Sequence, residues 1–216
     1  MNSSLMKCGA ILKKTEEQEN SVCLNKNTFV EDVWLWNALD AENKLWLCFI
    51  PGKRVLSKAY ELIENTAVKL AKAPKLITAD ECASYEKPIS ETFTVPFVQV
   101  CKTREKGTVV DINYNLYQET VKDAAEAIVD SKVSSMFNTA FIERFQSTLR
   151  QFCSRLKRKA YTFSKKIEKL EIFLSLFQGY YNIARPHRGL KKQTPAMAAG
   201  LTNHVWSIKE LLSYRF

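Results

Sequence analysis

The stretch from Asn138 to Leu190 holds one helix-borne carboxylate, Glu143, with Arg144 directly after it. Ile142, Phe145, Leu149, Phe152 and Leu156 recur at spacings of 3, 4, 3 and 4, which makes one apolar helix face. Glu143 falls just off that face, on the stripe with Ser147 and Arg150. A carboxylate there has two readings. It can be a solvated helical Glu beside an Arg, or it can be aimed over a sheet toward a metal shared with other carboxylates. The second reading requires partners upstream.

The charge around Glu143 is of one sign. From Arg144 to Lys192 there are 13 Lys and Arg against two acids, Glu168 and Glu171, a local charge of +11. The whole chain carries +9, so the remainder is slightly acidic. A cationic surface this concentrated suits a polyanion, nucleic acid above all. Arg150, Arg155, Lys157, Arg158, Lys159, Lys165 and Lys166 are read as phosphate contacts, giving salt-dependent and largely sequence-independent binding. A solvated helix face is the alternative, and the lack of interleaved acids weighs against it. Arg144 either orients Glu143 or meets a phosphate. Tyr180 and Tyr181 can stack on a splayed base or pack a helix on the sheet, and packing is preferred. His187, in the loop Pro186-His187-Arg188-Gly189, has no metal partner near it in sequence and is read, with Arg188, as a phosphate contact.

At 216 residues the chain is one domain, or one domain with appendages. Its 46% apolar and 11% aromatic content is ample for a core and excludes disorder throughout. The longest apolar run, Leu45 to Ile50, is far too short to span a bilayer. The opening MNSSLMKCGAILKKTEE lacks the apolar stretch of a secretory signal, so an intracellular, cytoplasmic protein is expected. Six scattered cysteines without a C-x-x-C, and two histidines, argue against a zinc finger or a disulfide framework.

The elements that must position Glu143 are read in order. Residues 1 to 31 are weakly patterned. The aromatic run around Trp34 and Trp36, the turn from Asp40 to Lys44 and the returning LWLCFI make a β-hairpin closed by Pro51-Gly52. Asp40 is read as a turn residue. A helix is expected from about Ser57 to Ala73, stopped by Pro74. KLIT follows as a short buried strand whose end presents Asp80 at the edge of the sheet; the alternative is a turn or cap Asp. Strands are expected over 97–102 and 108–112 and a helix over 117–131. Asn138-Thr139 can cap the Glu143 helix, which should weaken near Arg158, and Ser164 can cap a second helix reaching Tyr181. Thr194-Pro195 starts a short helix that Gly200 closes. Strand, strand, helix, strand implies an α/β domain with a mixed sheet.

Three segments carry a resemblance. TADECASYEKPI, NTAFIERFQSTLRQFCSRLKRKAYTFSKK and YYNIARPHRGLKKQTPAMAAGLTNHVWSIKELL resemble insertion-sequence transposases of the IS-one kind. These are DDE transposases with a ribonuclease-H-like core. The hairpin DVWLWNALDAENKLWLCFIPGKR is similar to the family's second and third strands, and the resemblance covers roughly residues 30 to 215. It implies a ribonuclease-H-like mixed sheet flanked by helices, with a basic C-terminal helical extension. The implied division is a leader over 1–29 read as a remnant of the first catalytic strand, a core over 30–182, and a C-terminal loop with short helices over 183–216.

The resemblance also implies a site. Three carboxylates would bind two Mg²⁺ (or Mn²⁺) ions, and Mg²⁺ needs hard oxygen ligands. By motif position Asp80 stands as the second carboxylate and Glu143 as the third. The family's first Asp lies in a D-E-x-W-S-F-V-like strand, to which TEEQENSVCLNKN corresponds, placing Glu16 where the Asp should be. Glu is one methylene longer, and a misplacement of about an ångström can cost on the order of 10²-fold in rate. The implied activity is transposition, the cutting and joining of DNA strands. Implied partners are transposon-end and target DNA on the nucleoid and, when active, further copies of the chain. The competing reading is a non-catalytic DNA-binding remnant, or an inhibitory partner of a full-length transposase. An RNA-binding module is disfavoured, because no aromatic RNP-like strand is present.

Overall fold

The computed structural model describes residues 5–8, 33–118, 121–129, 131, 134–156, 162, 164 and 166–214. Six strands form one mixed sheet: β1 (Leu5–Cys8), β2 (Trp34–Asp40), β3 (Trp46–Gly52), β4 (Leu76–Asp80), β5 (Phe97–Glu105) and β6 (Thr108–Tyr117). Their order is β3-β2-β1-β4-β5-β6. β1 runs antiparallel to β2 and parallel to β4, so the chain's opening segment supplies an inner strand. The sequence carries no periodic signal for β1, because four residues are too few to show an alternation.

The parallel pair β4 and β5 needs a crossover, made through α2 (Glu86–Thr92). α1 (Leu56–Lys69) links β3 to β4 and ends a little before the expected Ala73, with Leu70 already extended. Both helices cover one face, against Trp36, Ala38, Ile77, Ala79 and Phe97. α3 (Val121–Val129), α4 (Ala140–Phe152) and α5 (Ile167–Gly179) cover the other. There α3 meets Leu76 and Val98, while α4 and α5 meet Leu35, Leu39 and Trp46. The strand period of two therefore sets Thr78 and Asp80, which alternate with Ile77 and Ala79, on the α3/α4 face.

β5 and β6 are longer than their apolar patterns suggest. Lys106 and Gly107 both take positive φ, the turn that matches strand twist in a two-residue hairpin. Once that turn forms, ladder bonds carry the pairing to Tyr117 even where β6 is exposed.

Ile142, Phe145 and Leu149 are buried as the 3-4 spacing requires. The helix stops at Phe152, earlier than expected, with Cys153 N–H bonded to Leu149 O. The phase then slips, so Cys153 is fully buried and Phe152 is left 46% exposed. Ser164 does not cap α5; it accepts from Arg155 Nη1. α5 runs on into a π turn, Tyr180–Ala184. α6 (Pro195–Ala198) has the expected Thr194 cap and first-turn proline, and α7 (Ile208–Ser213) starts in a capping box of Ser207 and Glu210.

Candidate active site

Asp80 is the last residue of β4, and its strand partner on β5 is Val100. Lys102 lies two residues further along β5, hence on the same face, just past the end of β4. From there its ammonium reaches the carboxylate of Glu143 in the first turn of α4. The structure thus brings Asp80 and Glu143 to one face and one end of the sheet, with a lysine between their elements.

Glu143 is held from two sides. Oε1 accepts from Lys102 Nζ and from Thr139 Oγ1, the latter at 2.6 Å. Partial burial pushes its carboxyl pKa up, but the hydrogen bonds from Lys102 and Thr139, with the charges of Lys102 and Arg104, outweigh it and hold it below the ordinary range. Its position at a helix N-terminus favours the anion as well. Thr139 is the N-cap residue by position, yet its hydroxyl is spent on Glu143, and Asn138 Oδ1 takes the Ala140 N–H instead. Lys102 and Arg104 went unnoticed in the sequence, since a ladder register, not a motif, brings them near Glu143.

Asp40 ends β2, is 4% exposed, and accepts from Glu42 N–H at 2.9 Å and Asn43 Nδ2 at 2.7 Å. Burial raises its pKa against those hydrogen bonds. Its oxygens are committed to the turn, in keeping with the turn reading. β1 offers no acidic residue, being Leu-Met-Lys-Cys. Glu16 lies outside the described residues, as do Lys157, Arg158, Lys159 and Lys165.

The remaining basic positions divide. Arg144 and Arg188 are exposed, and Lys166 is exposed at the start of α5. Arg155 lies over the Phe173 ring at 5.4 Å, and Arg150 is half-buried. His187 turns inward, 4.7 Å from the Tyr181 ring and at a steep angle to it. Burial, then the charges of Arg185 and Lys44, lower its pKa to about 4. The imidazole is therefore neutral near pH 7 and offers a phosphate no charge. Lys44, in the β2–β3 turn at φ 55°, comes against the Pro-His-Arg-Gly loop. A Cβ on Gly189 would stand 2.0 Å from Lys44 Nζ, so glycine leaves the room that the ammonium fills. Tyr181 is 4% exposed among Trp46, Phe145 and Phe177, so it packs and does not stack on bases.

Asp80 and Glu143 are the right kind of donor for Mg²⁺, hard carboxylate oxygens on one face. Among the described residues, however, no group of three or more His, Cys, Asp or Glu side chains is placed to hold a metal ion.

Residues 125–195 match the family model of the integrase core domain. The matched segment holds α4 with Glu143, α5 and the Pro-His-Arg-Gly loop. With the mixed sheet flanked by helices, it supports an integrase- or transposase-type core of ribonuclease-H-like fold. No curated protein matches the chain. The exposed Arg144 follows Glu143 directly on α4. No described helix is long and apolar enough to cross a membrane.

Proposed function

We propose that this chain is an insertion-sequence DNA transposase of the DDE type, with Asp80 and Glu143 as carboxylate ligands for Mg²⁺ or Mn²⁺. The observation that carries the reading is the placement of Asp80, at the end of β4, and Glu143, at the start of α4, on one face of a ribonuclease-H-like sheet. Divalent ions in such a site activate an attacking water or 3′-hydroxyl and stabilise the leaving oxygen. The protein's own part is to hold the carboxylates and the DNA. Thr139 fixes the Glu143 rotamer, and Arg144 with Arg188 and Lys166 draws the phosphate backbone to the α4 side of the sheet. Glu16 is the residue assigned to the first carboxylate. Active assemblies contain more than one copy, and the DNA-bound protein belongs on the nucleoid.

A second reading has its own observation. β1, the inner strand beside β4, has no carboxylate, and Lys102 already sits on Glu143. This favours a DNA-binding remnant that has lost catalysis, or an inhibitory partner of a full-length transposase. Nicking of supercoiled plasmid with Mg²⁺ or Mn²⁺ separates the two. The chain is compared with Asp80→Ala and Glu143→Ala at matched DNA binding. The transposase reading expects nicking by the native chain and none by either variant. Equal DNA binding by all three with no nicking by any would overturn it and leave the remnant.

A further inference from the structure

Lys102 is the residue that the transposase reading leaves without a task. Its ammonium rests on Glu143 Oε1, the same oxygen that accepts from Thr139. Its side chain is 19% exposed, whereas that of Glu143 is 48% exposed, so the contact is open to solvent on the Glu143 side. We propose that Lys102 is a tethered cation that competes with the divalent ion for Glu143, so that metal entry requires the ammonium to leave. The inference rests on the reading of Glu143 as a metal ligand.

The chemistry is simple. An ammonium and a divalent ion seek the same anionic oxygen, and they repel each other at contact distance. An ion at either carboxylate oxygen would stand close beside the ammonium on Oε1, so the two cations compete for one carboxylate. Thr139 is a neutral donor and can stay as the ion arrives. Lys102 has a flexible four-carbon stem and can swing away from a fixed strand position. Its register, two residues past the partner of Asp80, keeps the displaced ammonium beside the carboxylates, where a DNA phosphate would take up its charge. Lys102 thus acts as a positioning residue. It holds Glu143 aimed while the site is empty and yields the carboxylate on loading.

The test reads metal binding and lysine exposure, not catalysis. Mn²⁺ uptake is titrated by electron paramagnetic resonance for the native chain, Lys102→Met, and Lys102→Met with Glu143→Gln. Amine acylation of Lys102 in the native chain is followed by mass spectrometry with and without Mn²⁺, so one readout needs no variant. The expected result is tighter Mn²⁺ binding by Lys102→Met, by up to about fivefold for a half-exposed pair. The gain is lost in the double variant, and Mn²⁺ speeds Lys102 acylation in the native chain. If native and Lys102→Met chains bind Mn²⁺ alike, and acylation is unmoved by the ion, the competition is refuted while the metal-ligand reading stands. If neither chain binds Mn²⁺, both fall together.

Discussion

The side-chain amide of Asn182 brackets the backbone of Trp46. Asn182 Oδ1 accepts from Trp46 N–H at 2.9 Å, and Asn182 Nδ2 donates to Trp46 C=O at 2.9 Å. Trp46 begins β3, an edge strand of the sheet. The amide therefore does what one peptide unit of a neighbouring strand would do. The π turn at Tyr180–Ala184 brings it there, 136 residues along the chain. The Trp46 ring meanwhile packs on Phe49, Phe145, Phe177 and Tyr181, and its Nε1 donates to Asn37. One tryptophan thus ties β2, β3, α4 and α5 together.

Removing that amide should cost stability in a defined order. In Asn182→Ala the Trp46 N–H loses its partner, at about 1–3 kcal/mol for a buried group. The Trp46 C=O keeps Gln178 Nε2 at 2.8 Å. Gln178→Ala removes that second donor and a longer bond to Leu47 C=O at 3.3 Å, but strands no N–H and should cost less. For a chain of this size each kcal/mol lowers Tm by about 2–4 °C. Thermal unfolding followed by circular dichroism checks this, and a larger loss for Gln178→Ala would refute the assignment.

His187 makes stability depend on pH in one window. Its folded pKa is lowered to about 4 from an ordinary 6.5 by burial and by the Arg185 and Lys44 charges. Between those values the unfolded chain binds a proton that the folded chain does not. Stability from this residue is full above about pH 6.5 and is lost as pH falls toward 4. Melting temperatures from pH 7 down to 4.5 should therefore fall more for the native chain than for His187→Gln. Parallel curves would mean that the imidazole is accessible and charges freely.

Arg144 and Arg188 are exposed on the α4 side and in the Pro-His-Arg-Gly loop. As phosphate contacts, each should contribute about 0.9 to the slope of log affinity against log salt on duplex DNA. Arg144→Ala and Arg188→Ala should each flatten the slope by about that much and weaken binding evenly across sequences. Fluorescence anisotropy at several salt concentrations measures it. An unchanged slope would place the DNA elsewhere.

Much of the architecture is written locally. The spacing of Ile142, Phe145 and Leu149 fixes a helix face and sets Glu143 beside it, because a 3.6-residue period admits one solution. The hairpin from Trp34 to Gly52, the Asp40 turn and the Thr194-Pro195 start follow from turn and cap chemistry that needs only neighbours. The strand end at Asp80 follows from a short apolar run that meets a polar residue. Other features depended on distant partners. β1 is a strand because β2 and β4 supply its ladder on both sides, a stabilisation invisible in four residues. α4 stops at Phe152 because Cys153 takes the next buried position. Lys102 meets Glu143, and Asn182 meets Trp46, only after registers and a π turn fold separations of 41 and 136 residues into hydrogen-bond distance. Short-range pattern thus determined which residues could carry the chemistry. Tertiary structure decided what stands against them, since a contact between side chains far apart in sequence leaves no period to read.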